Sequence, residues 1–290
     1  MKIALFGAGR IGKVHAQAIQ AHVEVGLACV VDPHRPSAQA LADLHGVPVK
    51  SEAEALADPA IDAVLIGSST DQHARQILEA SQAGKAIFCE KPIDLDINRV
   101  RQVLKHLDAH PVPFMLGFNR RYDPNFMALK AQIDAGAIGE VELVTILSRD
   151  RGLPPLDYIR VCGGLFRDMM IHDFDLARYY AGKDEFVSIF ATGSNISNKY
   201  FNKLKDFELA TAILKTKNGV QCIISNSRHC SFGYDQRVEL FGSKGMIISE
   251  NKRENETSLY SSNSTSSNCL LYTSDAADEG LGVDLGGRRI

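Results

Sequence analysis

The sequence carries almost no net charge. Lys+Arg number 32 against Asp+Glu 35, a formal balance of -3 over 290 residues. That argues against nucleic acid or an anionic membrane surface as the main partner. No apolar run approaches the length of a membrane-spanning helix. The start, Met1-Lys2-Ile3-Ala4-Leu5-Phe6, does not make a signal peptide, because Gly7, Gly9 and Arg10 break the apolar run at once. The six cysteines show no C-x-x-C and no paired spacing, and no metal site is expected. Cys29 and Cys89 end apolar, strand-like runs, where a reduced thiol acts as a small hydrophobe. A reducing cytoplasm is the expected compartment. The chain holds no internal repeat.

What is present is ordinary for a globular protein: 45% hydrophobic and 23% charged residues. A chain of 290 residues can bury two cores. Lys2–Phe6 has strand character, and Lys13–Ala21 has helical spacing. Between them stands Gly7-Ala8-Gly9-Arg10-Ile11-Gly12, a G-x-G-x-x-G motif in the strand-to-helix context that a dinucleotide site requires. Gly7 permits the tight turn, Gly9 lets backbone approach a pyrophosphate, and Gly12 lets helix and strand pack closely. Helix N–H groups at Arg10 and Ile11 then face the anion. The next apolar run, Val23–Val31, ends in Asp32. A carboxylate at that distance suits the adenosine ribose hydroxyls and favours NAD over NADP, although Arg35 leaves room for a 2′-phosphate.

The alternation continues with a helix over Pro36–His45 and a short strand at Val47–Val49. A buried strand follows at Ile61–Ile66, then a helix over Asp71–Ala83 capped by Thr70 and stopped by Gly84. Strand Ala86–Cys89, helix Asp96–Ala109 and strand Phe114–Leu116 complete a doubly wound parallel α/β sheet. Ligands of such sheets lie beyond the carboxyl ends of the strands, which puts Ser68, Ser69, Thr70, Glu90 and Lys91 on the cofactor side. His73 lies near that rim and reads as a polar residue in the first turn of a helix. From about residue 120 the pattern changes. A helix opens at Asp123-Pro124 and runs to Asp134, and Glu140–Ser148 alternates as a strand. A loop with Pro154-Pro155 leads into Gly163-Gly164 and a helix to Tyr180. On that helix Asp168 and His172 are four apart and share a face. A carboxylate one turn from an imidazole can orient the ring and raise its basicity, as a general base near neutral pH requires. Strands at Phe186–Thr192, Glu208–Thr216, Gly219–Arg228, Gln236–Phe241 and Met246–Ser249 predict a mainly antiparallel sheet, with a hairpin turn at Asn218-Gly219. The second half is therefore an α+β domain.

The expected domains are an NAD-binding Rossmann domain over 1–119 and an incomplete α+β substrate and oligomerisation domain over 120–250. A polar segment, 251–268, follows, and 261–268 is low-complexity. The last stretch, 269–290, resembles the in-frame translation of a transposase-based sequencing-library adapter, so the biological sequence is expected to stop near Asn268.

Three blocks carry a wider resemblance: Gly7–Gly12, Glu90-Lys91-Pro92, and Gly163-Gly164-Leu165-Phe166-Arg167-Asp168-Met169-Met170-Ile171-His172-Asp173-Phe174-Asp175. With their spacing, the chain resembles the Gfo/Idh/MocA oxidoreductases over residues 1–255, and among them those acting on inositols. The resemblance implies NAD-dependent oxidation of one hydroxyl of myo-inositol to scyllo-inosose. Sister activities on another inositol or a cyclic sugar, or a catalytically silent NAD-binding regulator, are the alternatives. It implies a catalytic triad of Lys91, Asp168 and His172: His172 as base, Lys91 as the cation on the reacting hydroxyl, and Asp168 as the orienter of His172. It also implies polyol contacts from Asn119, Arg120, Asp150 and Tyr234, and a homo-tetramer or homo-dimer formed through the second domain's sheet. Ser148 and Asp150 stand where some members carry histidine and asparagine. Met169 stands where a hydroxyl residue is common.

Overall fold

A computed structural model describes residues 1–251 together with the backbone of 258–260 and 265–267. The adapter-like stretch 269–290 and most of the polar segment before it lie outside the described residues. Two compact units are formed, one over residues 1–118 and one starting at Asn119.

The first unit runs β1 (Lys2–Phe6), α1 (Arg10–Ala21), β2 (Gly26–Val31), α2 (Arg35–His45), α3 (Glu52–Ala57), β3 (Ala63–Ile66), α4 (Thr70–Gln82), β4 (Ala86–Glu90), α5 (Ile97–Ala109) and β5 (Phe114–Gly117). All five strands are parallel, in the order β2-β1-β3-β4-β5. Alternate residues of β1 serve two cores. Ala4 and Phe6 pack with Ile66, Ile77 and Val103 on one side, while Ile3 and Leu5 pack with Ile19, Leu41 and Leu65 on the other. A strand buried on both faces is what a doubly wound sheet requires. The strand order reverses between β1 and β3, so the crevice beyond β1 is the topological switch point.

Several local expectations change. Helix α3 is capped by Ser51, whose side chain accepts from the Glu54 N–H while Glu54 reaches back to the Ser51 N–H. That S-x-x-E signal is legible in the sequence. Val47–Val49 contributes only a bridge between Val30 and Val49. Thr70 is not the cap of α4; the helix begins at Thr70 itself, and Ser69 occupies the cap position with no side-chain capping bond.

The second unit opens with a 3-10 turn (Asn119–Tyr122). It continues α6 (Pro124–Asp134), β6 (Val141–Arg149), α7 (Leu156–Val161), α8 (Leu165–Asp168), α9 (Met170–Ala181) and β7 (Phe186–Ser194). Then follow α10 (Tyr200–Leu204), β8 (Leu209–Thr216), β9 (Gln221–Ser227), β10 (Asp235–Gly242) and β11 (Gly245–Ser249). Helix α6 starts where Asp123-Pro124 predicts: the Asp123 carboxylate accepts from the N–H groups of Asn125 and Phe126. The sheet order is β11-β10-β6-β9-β8-β7, antiparallel except for the parallel pair β6–β9. The predicted hairpin joins β8 and β9, with Gly219 at φ +103. One sheet face packs on the helices through Val144, Ile146, Met170, Leu176, Ala212, Ile224 and Leu240. Farther on, β12 (Ser258–Tyr260) and β13 (Thr265–Ser267) pair antiparallel. Among the described residues no helix is long and apolar enough to cross a membrane.

Candidate active site

In the first unit the site is built at the end of β1. Gly7 has φ +105, and a Cβ there would lie 2.4 Å from the Gly67 carbonyl oxygen at the end of β3. A Cβ on Gly12 would lie 2.0 Å from the Gly7 carbonyl oxygen. Both positions exclude any side chain. A Cβ on Gly9 would meet nothing within 4 Å, so the backbone there is open to approach. Helix α1 starts at Arg10 without a side-chain cap or an acid in its first turn. Its first N–H groups therefore keep the positive end of the helix dipole available for a phosphate. Asp32, at the end of β2, accepts from the Ala8 N–H at 2.7 Å through Oδ2 and from the His34 N–H at 2.7 Å through Oδ1. Each carboxylate oxygen has a further lone pair for a hydroxyl. These features fit a dinucleotide.

On the same rim Ser68 donates its hydroxyl to Gln76 Oε1 at 2.6 Å, while Ser69 is exposed and Thr70 half-buried. Glu90 Oε1 is 2.7 Å from His15 Nε2, tying the end of β4 to α1. Lys91 follows half-buried, and the Lys91–Pro92 peptide is cis. His73 is not a surface residue but 2% exposed. Its Nδ1 lies 2.8 Å from the Pro92 carbonyl oxygen and its Nε2 lies 3.1 Å from the Ser68 carbonyl oxygen. One ring thus joins the loops after β3 and β4, a role the sequence reading missed. The only signal was its place one turn into α4, facing the sheet.

In the second unit the predicted single helix is broken. Asp168 is the last residue of α8 and His172 the third of α9, with Met169 (φ -100, ψ -57) as the joint. The His172 N–H bonds to the Met169 carbonyl three residues back. The joint lets Met169 and Met170, at 6% and 0% exposure, both reach the interior. Asp168 also takes tertiary contacts. The Tyr158 hydroxyl donates to Asp168 Oδ1 at 2.6 Å, and Arg228 Nη1 donates to Asp168 Oδ2 at 3.2 Å. Next to His172, Asp173 is fully buried and accepts from Arg120 Nη1, from Ser148 Oγ at 2.8 Å and from Asn226 Nδ2 at 2.7 Å.

Strand register gathers further residues. Arg149 of β6 pairs with Asp235 of β10 on one side and with Ser227 of β9 on the other. The residues just beyond this row, Asp150, Tyr234 and Arg228, therefore share one end of the sheet. Asp150 and Tyr234 are half-buried, and Asn119 is exposed. Arg120 and Ser148, at 6% and 1% exposure, instead point into the unit and brace Asp173. Among the described residues, Cys29, Cys89, Cys162, Cys222 and Cys230 are free. Burial pushes the Cys29 thiol up to about 11, so it stays protonated as packing. Among the described residues no group of three or more His, Cys, Asp or Glu could hold a metal.

Comparison with known proteins decides the family. Residues 1–118 match the model of an oxidoreductase family with an NAD-binding Rossmann fold, and residues 126–248 match the Gfo/Idh/MocA C-terminal domain. This chain is a Gfo/Idh/MocA oxidoreductase. It binds NAD through the first unit, as that family model describes. An inositol 2-dehydrogenase from Rhizobium meliloti is 50% identical over 255 residues, which span 87% of this chain and 76% of that protein. The crystal structure of a myo-inositol dehydrogenase from Corynebacterium glutamicum superposes with a TM-score of 0.90 at 40% identity, covering 98% of this chain and 86% of the other. That of scyllo-inositol dehydrogenase from Lactobacillus casei with NAD(H) and scyllo-inositol gives 0.86 at 27% identity, covering 98% and 85%. Within the family's frame, the Gly7–Gly12 turn and Asp32 lie where the switch point of the parallel sheet requires a nucleotide.

Proposed function

We propose that this chain is an NAD-dependent inositol dehydrogenase that oxidises one secondary hydroxyl of myo-inositol to a ketone, scyllo-inosose. The observation that carries the reading is the 50% identity to an inositol 2-dehydrogenase, which extends across both units. Bound NAD supplies the acceptor for the hydride lost from the substrate carbon. His172 takes the hydroxyl proton as that carbon is oxidised. Lys91 donates a hydrogen bond to the same oxygen and favours its developing negative charge. Asp168 holds the orientation of His172 and offsets the imidazolium. Gly7, Gly9, Arg10, Ile11 and Gly12 cradle the pyrophosphate, Asp32 reads the ribose, and Ser68, Ser69, Thr70, Glu90 and Lys91 line the nicotinamide side. Asn119, Asp150 and Tyr234 bond the remaining hydroxyls, since a ring of hydroxyls is read only by several donors and acceptors. Arg120 serves by bracing Asp173 beside His172. Residues 1–119 act as the cofactor domain and 120–250 as the substrate domain.

The test is NADH formation, followed in the near ultraviolet, over a panel of inositols. Turnover is expected with myo-inositol and NAD. Turnover confined to another inositol or a cyclic sugar would reassign the substrate. Tight NAD binding with no turnover on any polyol would instead favour a silent regulator.

Assembly as a tetramer or dimer through the sheet is part of the same proposal. The sheet face away from the helices exposes Phe190, Ile213, Phe241, Met246 and Ile248. Apolar area of this kind is characteristic of an interface. Sedimentation velocity should show an oligomer that Phe190→Asp/Ile213→Asp converts to monomer, and a wild-type monomer would refute it. The free thiols of the buried cysteines support a reducing cytoplasm as the site of action.

A further inference from the structure

We infer that Arg228 is a positioning residue for the reaction, a buried cation that with Tyr158 holds the Asp168 carboxylate and is itself paired with Asp206. The inference rests on the reading of Asp168 and His172 as an acid–base pair. Arg228 is completely buried. Taking a guanidinium out of water is expensive and persists only where carboxylates and hydrogen bonds compensate. Here two carboxylates do so. Nη1 donates to Asp168 Oδ2 at 3.2 Å, and Nη2 lies 3.6 Å from Asp206 Oδ2. The same Nη2 faces Cys162 Sγ at 3.6 Å, and the guanidinium sits 6.0 Å from the centre of the Phe201 ring. Burial alone would lower the Arg228 pKa; the Asp168 and Asp206 charges outweigh it and hold the group above its ordinary value.

The arrangement fixes Asp168 from both ends. Its two oxygens are held by different segments, Oδ1 by Tyr158 of α7 and Oδ2 by Arg228 after β9. Asp206 secures the start of the same short helix, accepting the Leu165 N–H at 2.8 Å through Oδ1. This contact explains the glycine before it: Gly164 has φ +84, and a Cβ there would lie 2.8 Å from Asp206 Oδ1. The Asp168 carboxylate held in this way can offset the imidazolium formed at His172.

A positioning role predicts a change in turnover with binding intact. Arg228→Gln is expected to lower kcat by about 10- to 100-fold, the usual cost of a displaced catalytic group. KM for the inositol and NAD affinity by calorimetry should stay within about two-fold. Arg228→Lys should regain a large part of the lost kcat, because it restores the charge and one donor. If Arg228→Gln leaves too much unpaired negative charge to fold, Arg228→Gln/Asp206→Asn keeps the cluster's net charge and the Leu165 cap, and the same fall in kcat is expected. Wild-type kcat in either folded Gln variant overturns the inference, as does a fall in kcat that Lys does not relieve. Asp168→Asn, measured alongside, separates the two readings: if it turns over normally, the catalytic assignment of Asp168 fails. If it is disabled while Arg228→Gln is normal, only the role of Arg228 fails.

Discussion

His172→Ala should abolish turnover, by about 10³-fold or more, while NAD still binds. General acid–base catalysis contributes roughly 10²- to 10⁴-fold, and the proposed reaction offers no other near-neutral base on α9. His172 lies outside the nucleotide-binding unit, which spans residues 1–118. Its removal therefore leaves the Gly7–Gly12 turn and Asp32 untouched. Lys91→Ala should lose about 10²- to 10³-fold, the usual cost of removing one group that stabilises a developing oxyanion. Steady-state NADH formation gives the first number and calorimetric titration with NAD the second. Wild-type-like turnover in either variant would remove that residue from the mechanism. Loss of NAD binding in His172→Ala would show that the substitution acts through the fold.

A second large effect is expected in stability. Asp173→Ala should cost about 3–5 kcal/mol, the range for stripping one partner from a buried ion pair. The carboxylate is fully buried, and three groups depend on it: Arg120, Ser148 and Asn226. Arg120 is itself 6% exposed, and its Nε already has no partner. Without Asp173 its charge would remain buried and unpaired. The remedy follows from the same physics: Arg120→Met/Asp173→Leu removes both charges and should recover most of the loss. Urea unfolding measures both variants. A cost below about 1 kcal/mol for Asp173→Ala would mean that water reaches the cluster and screens it. Because Asp173 follows His172 directly, activity should fall with stability.

Much of the first unit was legible because it is locally encoded. The Gly7–Gly12 turn is dictated by positive φ and by backbone approaching backbone, conditions that only glycine meets. Helix α6 begins at Asp123-Pro124, and β8 turns into β9 at Asn218-Gly219, for equally local reasons. The missed helix α3 was also legible, since Ser51 and Glu54 write a capping box. Helix α7 was hidden by Pro154-Pro155, which reads as loop although Pro155 occupies the cap position of a helix.

For the candidate site the sequence offers motifs, and the fold supplies the contacts around them. The motifs singled out Lys91, Asp168 and His172, and the spacing of the last two suggested one helix face. The structure breaks that helix at Met169 and brings Tyr158 and Arg228, 10 and 60 residues away, onto Asp168. It likewise gives Glu90 to His15, and it sets His73 between Ser68 and Pro92. The sequence alone was enough for the doubly wound unit and the Gly7–Gly12 turn, because steric limits and hydrophobic period act between near neighbours. Which charge meets which was settled by the fold. A buried carboxylate or guanidinium takes whatever partner the fold brings within a few ångströms, and no spacing along the chain records that choice.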